Sequence, residues 1–522
     1  MKILSSKQIK SVDKGTIVRE GISSLELMKR AATAFCDWFI ARFSNKQLSI
    51  VIFSGVGNNG GDGLAVARIL NKHGYNVKVC VVEYNENYTD DCAHNVRRIK
   101  AEKIPCKKIL EESDIPDLES FDIVIDAIFG TGLSREVSGT TRKVIEQINN
   151  FNLNDNKKVE WMSKGFYNSK KWMKSIISID VPSGLFLDRP TAFAVNATET
   201  VTFQIPKLAL YMPQNALFVG NVTIVDIGLN DEVISETESK HFFTEKKDIK
   251  FLLKPLAKFA HKGTEGHVLI VGGSLGKIGS VHLASKAALK MGCGLVTAYV
   301  PNCGTQVMQS SFPEAMVIED SNSDYISEIK YDIKPDAVGV GVGIGQNEET
   351  ALALRNFIQS CNVPLVLDAD GLNILAKHPK WLQLLPPKTI LTPHPKELSR
   401  IIGEWSDDFD KIDKTKQFAE KYNLIVVVKG AYSLIIDSEY VFVNSSGTPA
   451  LATAGSGDVL TGMIASLLAQ GYNPLNAARV GVFIHGMTSN ITTNCIHPRS
   501  FVANDIIENI GDCYIALDSI TE

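Results

Sequence analysis

The chain has 522 residues and a mass of 57.1 kDa, which is enough for about two to four domains. Charged residues make up 21% and hydrophobic residues 44%, a composition typical of globular proteins and not of disordered or fibrous ones. The net charge of −4 argues against binding nucleic acid or membranes through bulk charge. The sequence shows no membrane-length apolar run and no secretory signal, and its nine cysteines are scattered, so we expect a cytoplasmic protein.

Apolar runs that end at glycine-rich turns, each followed by a helical pattern, recur along the chain. In the first half, predicted strands lie at 48–53, 77–82, 121–129 and 175–181. This alternation predicts an α/β fold with a mostly parallel sheet. Residues 152–174 do not fit this alternation, because they carry six lysines and four aromatic residues. We interpret it as a surface insertion and not as a nucleic-acid-binding loop, because loops accept insertions at low cost.

The rhythm stops at 230–249, where the chain is polar and mixed in charge. A second series of strands, glycine turns and helices then begins. We therefore predict two domains, residues 1–229 and 250–522, joined by a linker at 230–249.

The first glycine-rich turn, GVGNNGGDG, has the spacing of a dinucleotide-binding fingerprint at Gly55, Gly57 and Gly60. That spacing alone favours an NAD-dependent oxidoreductase. Asp62 argues against this interpretation, because a carboxylate in the first turn of the following helix repels the pyrophosphate that would bind there.

Oxygen-bearing side chains follow three predicted strands of the first half. Asn59 lies in the glycine turn, Asp126 closes the third strand and Asp180 closes the fourth, with Ser183 in the next turn. The carboxyl ends of parallel strands meet in one crevice. Asn59, Asp126 and Ser183 can therefore bind a cation, and a monovalent ion suits a set with one carboxylate better than Mg²⁺ or Zn²⁺.

The first half resembles the NAD(P)H-hydrate epimerase domain in five ordered motifs: GISSLELMKRAA, SGVGNNGGDGLAVAR, DAIFGTGLSRE, IDVPSGL and VTFQIPKLAL. The resemblance implies a Rossmann-like three-layer domain with a potassium ion held by Asn59, Asp126 and Ser183. An acid or base must act at the substrate hydroxyl, and either Asp180 or Asp62 could serve. The implied substrate contacts are Asn58, Asn59, Gly60, Gly61, Asp62, Gly130, Thr131, Gly132, Leu133, Ser134, Arg135, Glu136 and Asp180.

The second half contains TAGSGDVLTG, in which Gly455, Ser456 and Gly457 expose backbone N–H groups and Asp458 opens an apolar helix. This arrangement is typical of sites that cradle a phosphoryl group and place a base beside the acceptor hydroxyl. The earlier VGGSLGKIG is not a P-loop, because Ile278 stands where a Ser or Thr should bind Mg²⁺.

The order of HKGTEGHVLIVGGS, GVGIGQ, LDADGLN, LTPHPKE, VVVKGAYS and GSGDVLTG resembles the ribokinase-like superfamily, and within it the ADP/ATP-dependent NAD(P)H-hydrate dehydratases. The resemblance implies a three-layer domain in which Asp458 is the catalytic base. It places the adenine nucleotide against Lys429, Gly430, Ala431, Tyr432, Ser433 and Gly457. It places the hydrate against Gly279 or Ser280, Gly343 or Gly345, His394 and Asp458.

Together the two resemblances imply a bifunctional metabolite-repair enzyme. One half interconverts the R and S hydrates NADHX and NADPHX, and the other dehydrates the S form at the expense of ADP or ATP. We expect K⁺, Mg²⁺ and a homo-oligomer, with no nucleic-acid or membrane partner. The alternatives are a ribokinase-like small-molecule kinase fused to a nucleotide-binding domain, and a non-catalytic NAD-binding scaffold.

Overall fold

The computed structural model describes residues 1–151, 174–493 and 495–520. The chain divides into two compact units, Met1–Ser239 and Lys240–Glu522. The predicted surface insertion at 152–174 lies outside the described residues, apart from Lys174. No helix in the described part of the chain is both long and apolar enough to cross a membrane.

The first unit is built on a parallel sheet whose central strands are apolar and buried on both faces. The unit's strands are β1 (Lys2–Ile3), which is not part of this sheet, and the seven sheet strands β2 (Ser49–Ser54), β3 (Asn76–Val82), β4 (Cys106–Ile109), β5 (Ile123–Ala127), β6 (Ser175–Ile179), β7 (Glu199–Phe203) and β8 (Asn221–Val225). The sheet has the order β4-β3-β2-β5-β6-β7-β8, and every neighbouring pair is parallel. Buried parallel strands read as continuous apolar runs, as they do here.

Helices cover both faces of this sheet. Alternate residues of β2 enter two separate cores: Ile50 packs with Phe35 and Phe39 on one face, while Val51 packs with Val144 on the other. The unit is therefore three-layered. Its helices are Ser6–Glu20, Ser24–Arg42, Asn58–Lys72, Asp90–Ala101, Gly139–Asn150, Ala216–Val219 and Asp231–Glu236, with 3₁₀ turns at Glu112–Asp114, Leu208–Tyr211 and Pro213–Asn215.

The second unit has a larger sheet. Its strands are β9 (His241–Thr244), β10 (His267–Val271), β11 (Leu295–Pro301), β12 (Met316–Asp320), β13 (Ala337–Val340), β14 (Leu365–Leu367), β15 (Ile390–Leu391), β16 (Ile425–Val428), β17 (Leu434–Ile436) and β18 (Val441–Asn444). Within the unit they follow the order β9-β18-β17-β16-β15-β14-β13-β10-β11-β12. Neighbouring strands pair in parallel along the part of the sheet that runs β16-β15-β14-β13-β10-β11-β12. Strand β17 pairs antiparallel with both β16 and β18.

Close helix packing fills the core of this unit. A Cβ atom at Gly462 would lie 1.9 Å from the carbonyl oxygen of Ala284, so only glycine lets the two helices approach. The α/β prediction is confirmed for both halves. The helices are Lys246–Leu252, Ile278–Lys290, Asn302–Ser311, Glu348–Ser360, Ala369–Lys377, Pro395–Ile402, Asp408–Tyr422, Ser456–Ala469, Pro474–Thr492, Ala503–Glu508 and Ile510–Asp518, with 3₁₀ turns at Pro379–Leu384, Pro449–Leu451 and Pro498–Ser500.

The predicted linker at 230–249 is folded in the structure. Asn230 caps the helix Asp231–Glu236 by accepting from the Val233 N–H at 3.1 Å. Strand β9 follows, and its Phe243 is buried. The boundary between the two units falls inside this segment. The polar composition of this segment hid two local signals, a helix cap and an aromatic strand.

Candidate active sites

The glycine turn after β2 places Asn59 in the first unit. The helix Asn58–Lys72 begins directly after Gly57, its N-cap residue. A Cβ atom at Gly60 would lie 1.9 Å from the carbonyl oxygen of Gly55, so the helix start folds back tightly on the turn. Gly130 lies beside the Asn59 side chain, and its own Cβ would be 3.0 Å from that of Asn59. The turn after β5 therefore meets the turn after β2.

The Asn59 amide has one satisfied end and one unsatisfied end. Its Nδ2 donates to the carbonyl oxygen of Phe129 at 2.9 Å, and the residue is only 8% exposed. Its Oδ1 is buried and has no hydrogen-bond partner among the described residues. A buried unpaired carbonyl oxygen is costly, so this atom is suited to a ligand.

Asp126 and Ser183 extend this set of oxygens. The buried Asp126 carboxylate accepts from the Ser183 N–H and the Ser178 hydroxyl, both at 2.8 Å. The Ser183 Oγ accepts from the Phe129 N–H at 2.8 Å. Burial raises the pKa of Asp126, and no basic side chain of the described residues pairs with it. A monovalent cation bound to these oxygens would supply positive charge beside the Asp126 carboxylate.

Asp180 forms a buried ion pair next to this oxygen set. Lys207, which is 1% exposed, donates to Asp180 Oδ1 at 2.6 Å, and the Phe203 N–H donates to the same oxygen at 3.1 Å. The backbone of Asp180 has φ of 66°, a left-handed conformation that is uncommon outside glycine. Strain of this kind persists where surrounding contacts impose it, and it is frequent at functional sites.

Two further carboxyl groups interact with Asp180. Burial, and then the charges of Asp180, Asp13 and Asp91, raise the pKa of Asp62 well above its ordinary value. Burial and the nearby Asp180 raise the pKa of Asp13 to about 6, while Lys207 acts in the opposite direction. Sequence analysis proposed Asp62 and Asp180 but missed Asp13 and Lys207. Lys207 lay within a quoted motif and received no role.

The predicted contacts in the loop after β5 are more dispersed. Gly130 borders Asn59, and a Cβ atom at Gly132 would lie 3.4 Å from Lys10 Nζ. The Ser134 carbonyl accepts from Arg189 at 2.8 Å. This end of the loop faces solvent. Its exposed residues are Ser134, Arg135 and Glu136, and no contact places them at the carboxyl cluster.

In the second unit, Asp458 lies in the first turn of the helix Ser456–Ala469. Gly455, with φ of 84°, is the N-cap residue of that helix and leaves its first N–H groups without a side-chain cap. Burial, followed by the charge of Asp368, raises the pKa of Asp458 to about 6, whereas a hydrogen bond with Ser280 lowers it. A carboxyl poised near neutrality at a helix start has the properties of a general base.

A buried network supports this helix start. Asp368, which is 1% exposed, accepts from Lys429 Nζ and from the Thr461 hydroxyl, both at 2.8 Å. A Cβ atom at Gly457 would lie 3.4 Å from the same Lys429 Nζ. Lys429, Gly457 and Asp458 are therefore neighbours. Asp368 lies in the strand-end motif LDADGLN, but nothing in the sequence alone indicates its role in this network.

The loop after β13 meets the start of the helix Ile278–Lys290. Gly343 and Gly345 have φ of 61° and 80°, and a Cβ atom at Gly343 would lie 3.1 Å from that of Ser280. Ser280 also bonds Asp458, so the structure brings these predicted hydrate contacts together. Gly279 faces open space, with no atom near its hypothetical Cβ.

His394 has a structural role at the start of the helix Pro395–Ile402. Its Nδ1 accepts from the N–H groups of Lys396 and Glu397 at 3.1 and 3.2 Å. Its side chain remains 45% exposed, with Nε2 lying 3.4 Å from Glu397 Oε1. The turn before His394 adjoins the predicted nucleotide loop, because the Lys429 N–H donates to the Pro393 carbonyl at 2.9 Å.

The predicted nucleotide loop is a tight turn between β16 and β17. Ser433 Oγ donates to the Gly430 carbonyl at 3.1 Å and accepts from its N–H at 3.2 Å. Burial raises the pKa of Tyr432, whereas Gly430 and Ala431 are exposed. The turn thus exposes backbone next to Lys429.

Comparisons with known proteins give consistent matches for both units. The family model for NAD(P)H-hydrate dehydratase matches residues 268–511, and that for the YjeF-related protein N-terminus matches 24–209. The bifunctional NAD(P)H-hydrate repair enzyme Nnr of Coxiella burnetii is 32% identical, over 97% of this chain and 98% of that protein. The protein of the same name from Dictyoglomus turgidum is 31% identical, over 100% of this chain and 99% of that protein.

Among solved structures, the ADP/ATP-dependent NAD(P)H-hydrate dehydratase from Bacillus subtilis, co-crystallized with ATP/Mg²⁺, is 24% identical with a TM-score of 0.47. The match covers 53% of this chain and 98% of the Bacillus subtilis chain. The match to the two Nnr proteins spans nearly the whole chain in each case. This chain therefore belongs to the family of bifunctional NAD(P)H-hydrate repair enzymes.

Proposed function

We propose that this chain restores NADH and NADPH from their hydrates. The first unit interconverts the R and S hydrates, and the second dehydrates the S form with ADP or ATP. One observation carries this proposal: each unit has its own polar site beside the carboxyl ends of its strands. The first site gathers carboxyl groups that handle protons, and the second combines a lysine with a glycine-rich helix start that suits phosphate.

In the epimerase site, the C6 hydroxyl of the hydrated ring has to depart and return on the other face. The ring nitrogen's lone pair drives departure once the hydroxyl is protonated, and water then adds to the iminium carbon. Asp180 is the proposed ionised partner, since Lys207 holds its Oδ1 as an acceptor at 2.6 Å. The proposed substrate contacts are those carried by the family resemblance, with the glycine turn after β2 as the best-supported part.

Potassium belongs to the same proposal. Asn59, Asp126 and Ser183 would hold it, supported by the unpaired Asn59 Oδ1 and by the buried Asp126 carboxylate without a basic partner among the described residues. When bound, the ion would supply positive charge beneath the substrate. Such a charge favours electron-rich groups of the substrate and stabilises the ionised Asp126.

In the dehydratase site, the C6 hydroxyl oxygen attacks the terminal phosphorus of the nucleotide while Asp458 accepts the hydroxyl proton. The P–O bond to the leaving nucleotide breaks and a phosphate ester forms. The ring nitrogen's lone pair then expels phosphate by breaking the C6–O bond. The resulting iminium loses its C5 proton to water, which restores the dihydronicotinamide. Phosphate leaves more readily than hydroxide, which explains the use of a nucleotide.

Several residues support charge development in this step. The backbone N–H groups after Gly455 and the ammonium of Lys429 are placed to stabilise the transferred phosphoryl group. Mg²⁺ is proposed to bind with the nucleotide, because phosphates and one or two carboxylates are its usual ligands. No group of three or more His, Cys, Asp or Glu in the described ranges is arranged to hold a metal. A cytoplasmic location and a homo-oligomer remain part of the proposal.

Two assays test the function. Purified protein is mixed with chemically hydrated NADH, with and without nucleotide and Mg²⁺. We expect the dihydronicotinamide absorbance to return only with nucleotide, and the R and S hydrates, separated by chromatography, to exchange without it. A stable phosphorylated product would favour the small-molecule kinase instead. Failure of both reactions would refute the proposal.

A further inference from the structure

The carboxylate of Asp368 is held in one orientation at the end of β14. Asp368 directly follows that strand and is the N-cap residue of the helix Ala369–Lys377. Its Oδ1 accepts from the Ala369 N–H at 2.7 Å, and its Oδ2 accepts from the Thr461 hydroxyl at 2.8 Å. Two elements thus fix the two oxygens of a side chain that is buried from solvent.

The turn that carries Asp368 keeps a costly backbone conformation. Ala369 has φ of 50°, in the left-handed region that residues other than glycine rarely adopt. A Cβ atom at Gly341 would lie 2.1 Å from the Asp368 carbonyl oxygen, so the neighbouring loop packs directly against this turn. Such strain is retained only where the surrounding structure imposes it, and it concentrates at ligand-binding and active sites.

Lys429 reaches the same carboxylate from the end of β16. Its backbone N–H donates to the Pro393 carbonyl at 2.9 Å, and its Nζ donates to Asp368 Oδ1 at 2.8 Å. The ammonium group has three N–H donors, and among the described residues its only hydrogen-bond acceptor is Asp368. The side chain is 23% exposed, which leaves the remaining donors available to a ligand.

The ion pair lies beside the start of the helix Ser456–Ala469. A Cβ atom at Gly457 would lie 3.4 Å from Lys429 Nζ and 3.7 Å from Asp368 Oδ2. Gly457 is in the first turn of this helix, where the backbone N–H groups have no side-chain cap. A lysine that is fixed before the ligand arrives loses less conformational entropy when the ligand binds.

Resting on the dehydratase function proposed above, we propose that Asp368 is a positioning residue for the nucleotide. Its carboxylate holds the Lys429 ammonium at the start of the helix Ser456–Ala469, where the terminal phosphate binds. Two N–H donors of the ammonium then remain for the phosphate oxygens, and Asp368 itself makes no contact with the nucleotide. Both Asp368 oxygens already accept hydrogen bonds, so Asp458 remains the group that takes the hydroxyl proton.

The test measures the dissociation constant of ADP with Mg²⁺ by titration, in the parent chain, Asp368→Asn and Thr461→Val. Asp368→Asn keeps the size of the side chain but removes the charge that holds the ammonium, so ADP should bind at least about tenfold more weakly. Thr461→Val is the matched comparison, because it removes another hydrogen bond to the same carboxylate and leaves the ion pair in place. It should bind ADP within about threefold of the parent.

A double-mutant cycle with Lys429→Met tests whether Asp368 acts through Lys429. Lys429→Met removes the ammonium and should weaken ADP binding at least as much as Asp368→Asn does. In the Lys429→Met background, Asp368→Asn should change the dissociation constant by less than about twofold, because the interaction it supports is already gone. If Asp368→Asn alone does not fold, the double variant, which has no unpaired buried charge, is still compared with Lys429→Met.

Parental ADP affinity in Asp368→Asn would overturn the proposal, as would equal losses in Asp368→Asn and Thr461→Val. Losses that multiply in the double variant would also overturn it, because Asp368 would then act on the nucleotide independently of Lys429. The parent is assayed in parallel for nucleotide-dependent recovery of the dihydronicotinamide. If the parent binds ADP but recovers none, the proposed dehydratase function is wrong instead.

Discussion

The two sites of this chain lie at the same kind of place in their sheets but handle charge in opposite ways. In the first unit, Asp13, Asp62 and Asp180 interact electrostatically, the ion pair of Lys207 is with Asp180, and the nearby Asp126 has no basic partner among the described residues. That site suits protons and a cation. The second unit pairs its buried carboxylate with a lysine and adds a helix start, which suits an anion. The reaction, and not the α/β scaffold, selects the sign of the charge.

The largest expected effect separates the two sites through Asp458. Asp458→Asn keeps the size and capping ability of the side chain but cannot accept a proton. We expect dehydration to fall roughly 100-fold or more. Nucleotide should still bind, because the glycine backbone is unchanged, and R/S exchange without nucleotide should be unaffected. The measurements are nucleotide-dependent recovery of the dihydronicotinamide, nucleotide titration and hydrate exchange.

A matched control for this variant is Asp512→Asn, which alters an exposed first-turn carboxylate in the same unit. It should leave both activities intact. Near-parental dehydration by Asp458→Asn would refute the base assignment. Loss of both activities in a folded variant would refute the independence of the two sites.

The cation requirement of the first site gives the next largest effect. Asp126→Ala removes the only carboxylate of the proposed potassium set and leaves the buried Ser183 N–H without its acceptor. Exchange should fall at least about tenfold and lose its response to added K⁺. Asp122→Ala, at the other end of β5, changes an exposed carboxylate and should keep the parental response. Equal exchange by parent and Asp126→Ala, with and without potassium, contradicts the ion site.

The buried carboxyl groups Asp13 and Asp458 should each lower the stability of the folded chain as the pH rises, and over the same pH range. The pKa values of Asp13 and Asp458 are about 6 in the folded chain, against 3.8 ordinarily. The unfolded chain therefore loses these protons first, and the free energy of unfolding should fall as pH rises from about 4 to about 6. Two pKa units correspond to about 3 kcal/mol at most, and we expect about 1 kcal/mol per site after relaxation and screening.

Thermal unfolding across this pH range tests the linkage. Asp13→Asn and Asp458→Asn should each be more stable than the parent at neutral pH and closer to it at pH about 4. Asp37→Asn and Asp512→Asn provide exposed controls that should follow the parent. A parental melting profile in both site variants would mean that neither carboxyl is penalised by burial.

The smallest expected difference concerns the nucleotide. The resemblance to fused two-domain repair enzymes predicts a preference for ADP over ATP, although either nucleotide would present a terminal phosphate to Lys429 and the helix start. The measurement is the initial rate of dehydration with each nucleotide at saturating Mg²⁺. A clear preference for ATP would overturn the prediction without affecting the assignment of the site.

Sequence reasoning succeeded where chemistry follows directly from a strand end. Asn59, Asp126 and Ser183 each follow an apolar run, so the parallel-sheet rule predicted their proximity. It missed Asp13, because that residue precedes the first strand of the sheet and lies on a helix with no chemical motif. It also missed Lys207, since a lysine is almost never fully buried unless paired, and its pair is 27 residues away. Such partners are fixed by tertiary packing.

The cap formed by His394 determines where its imidazole can hold a proton. Its Nδ1 accepts two backbone N–H bonds, so in the neutral ring the hydrogen must sit on Nε2. The resulting Nε2–H lies on the half-exposed side of the ring, 3.4 Å from Glu397 Oε1. The helix thus fixes a single tautomer of His394.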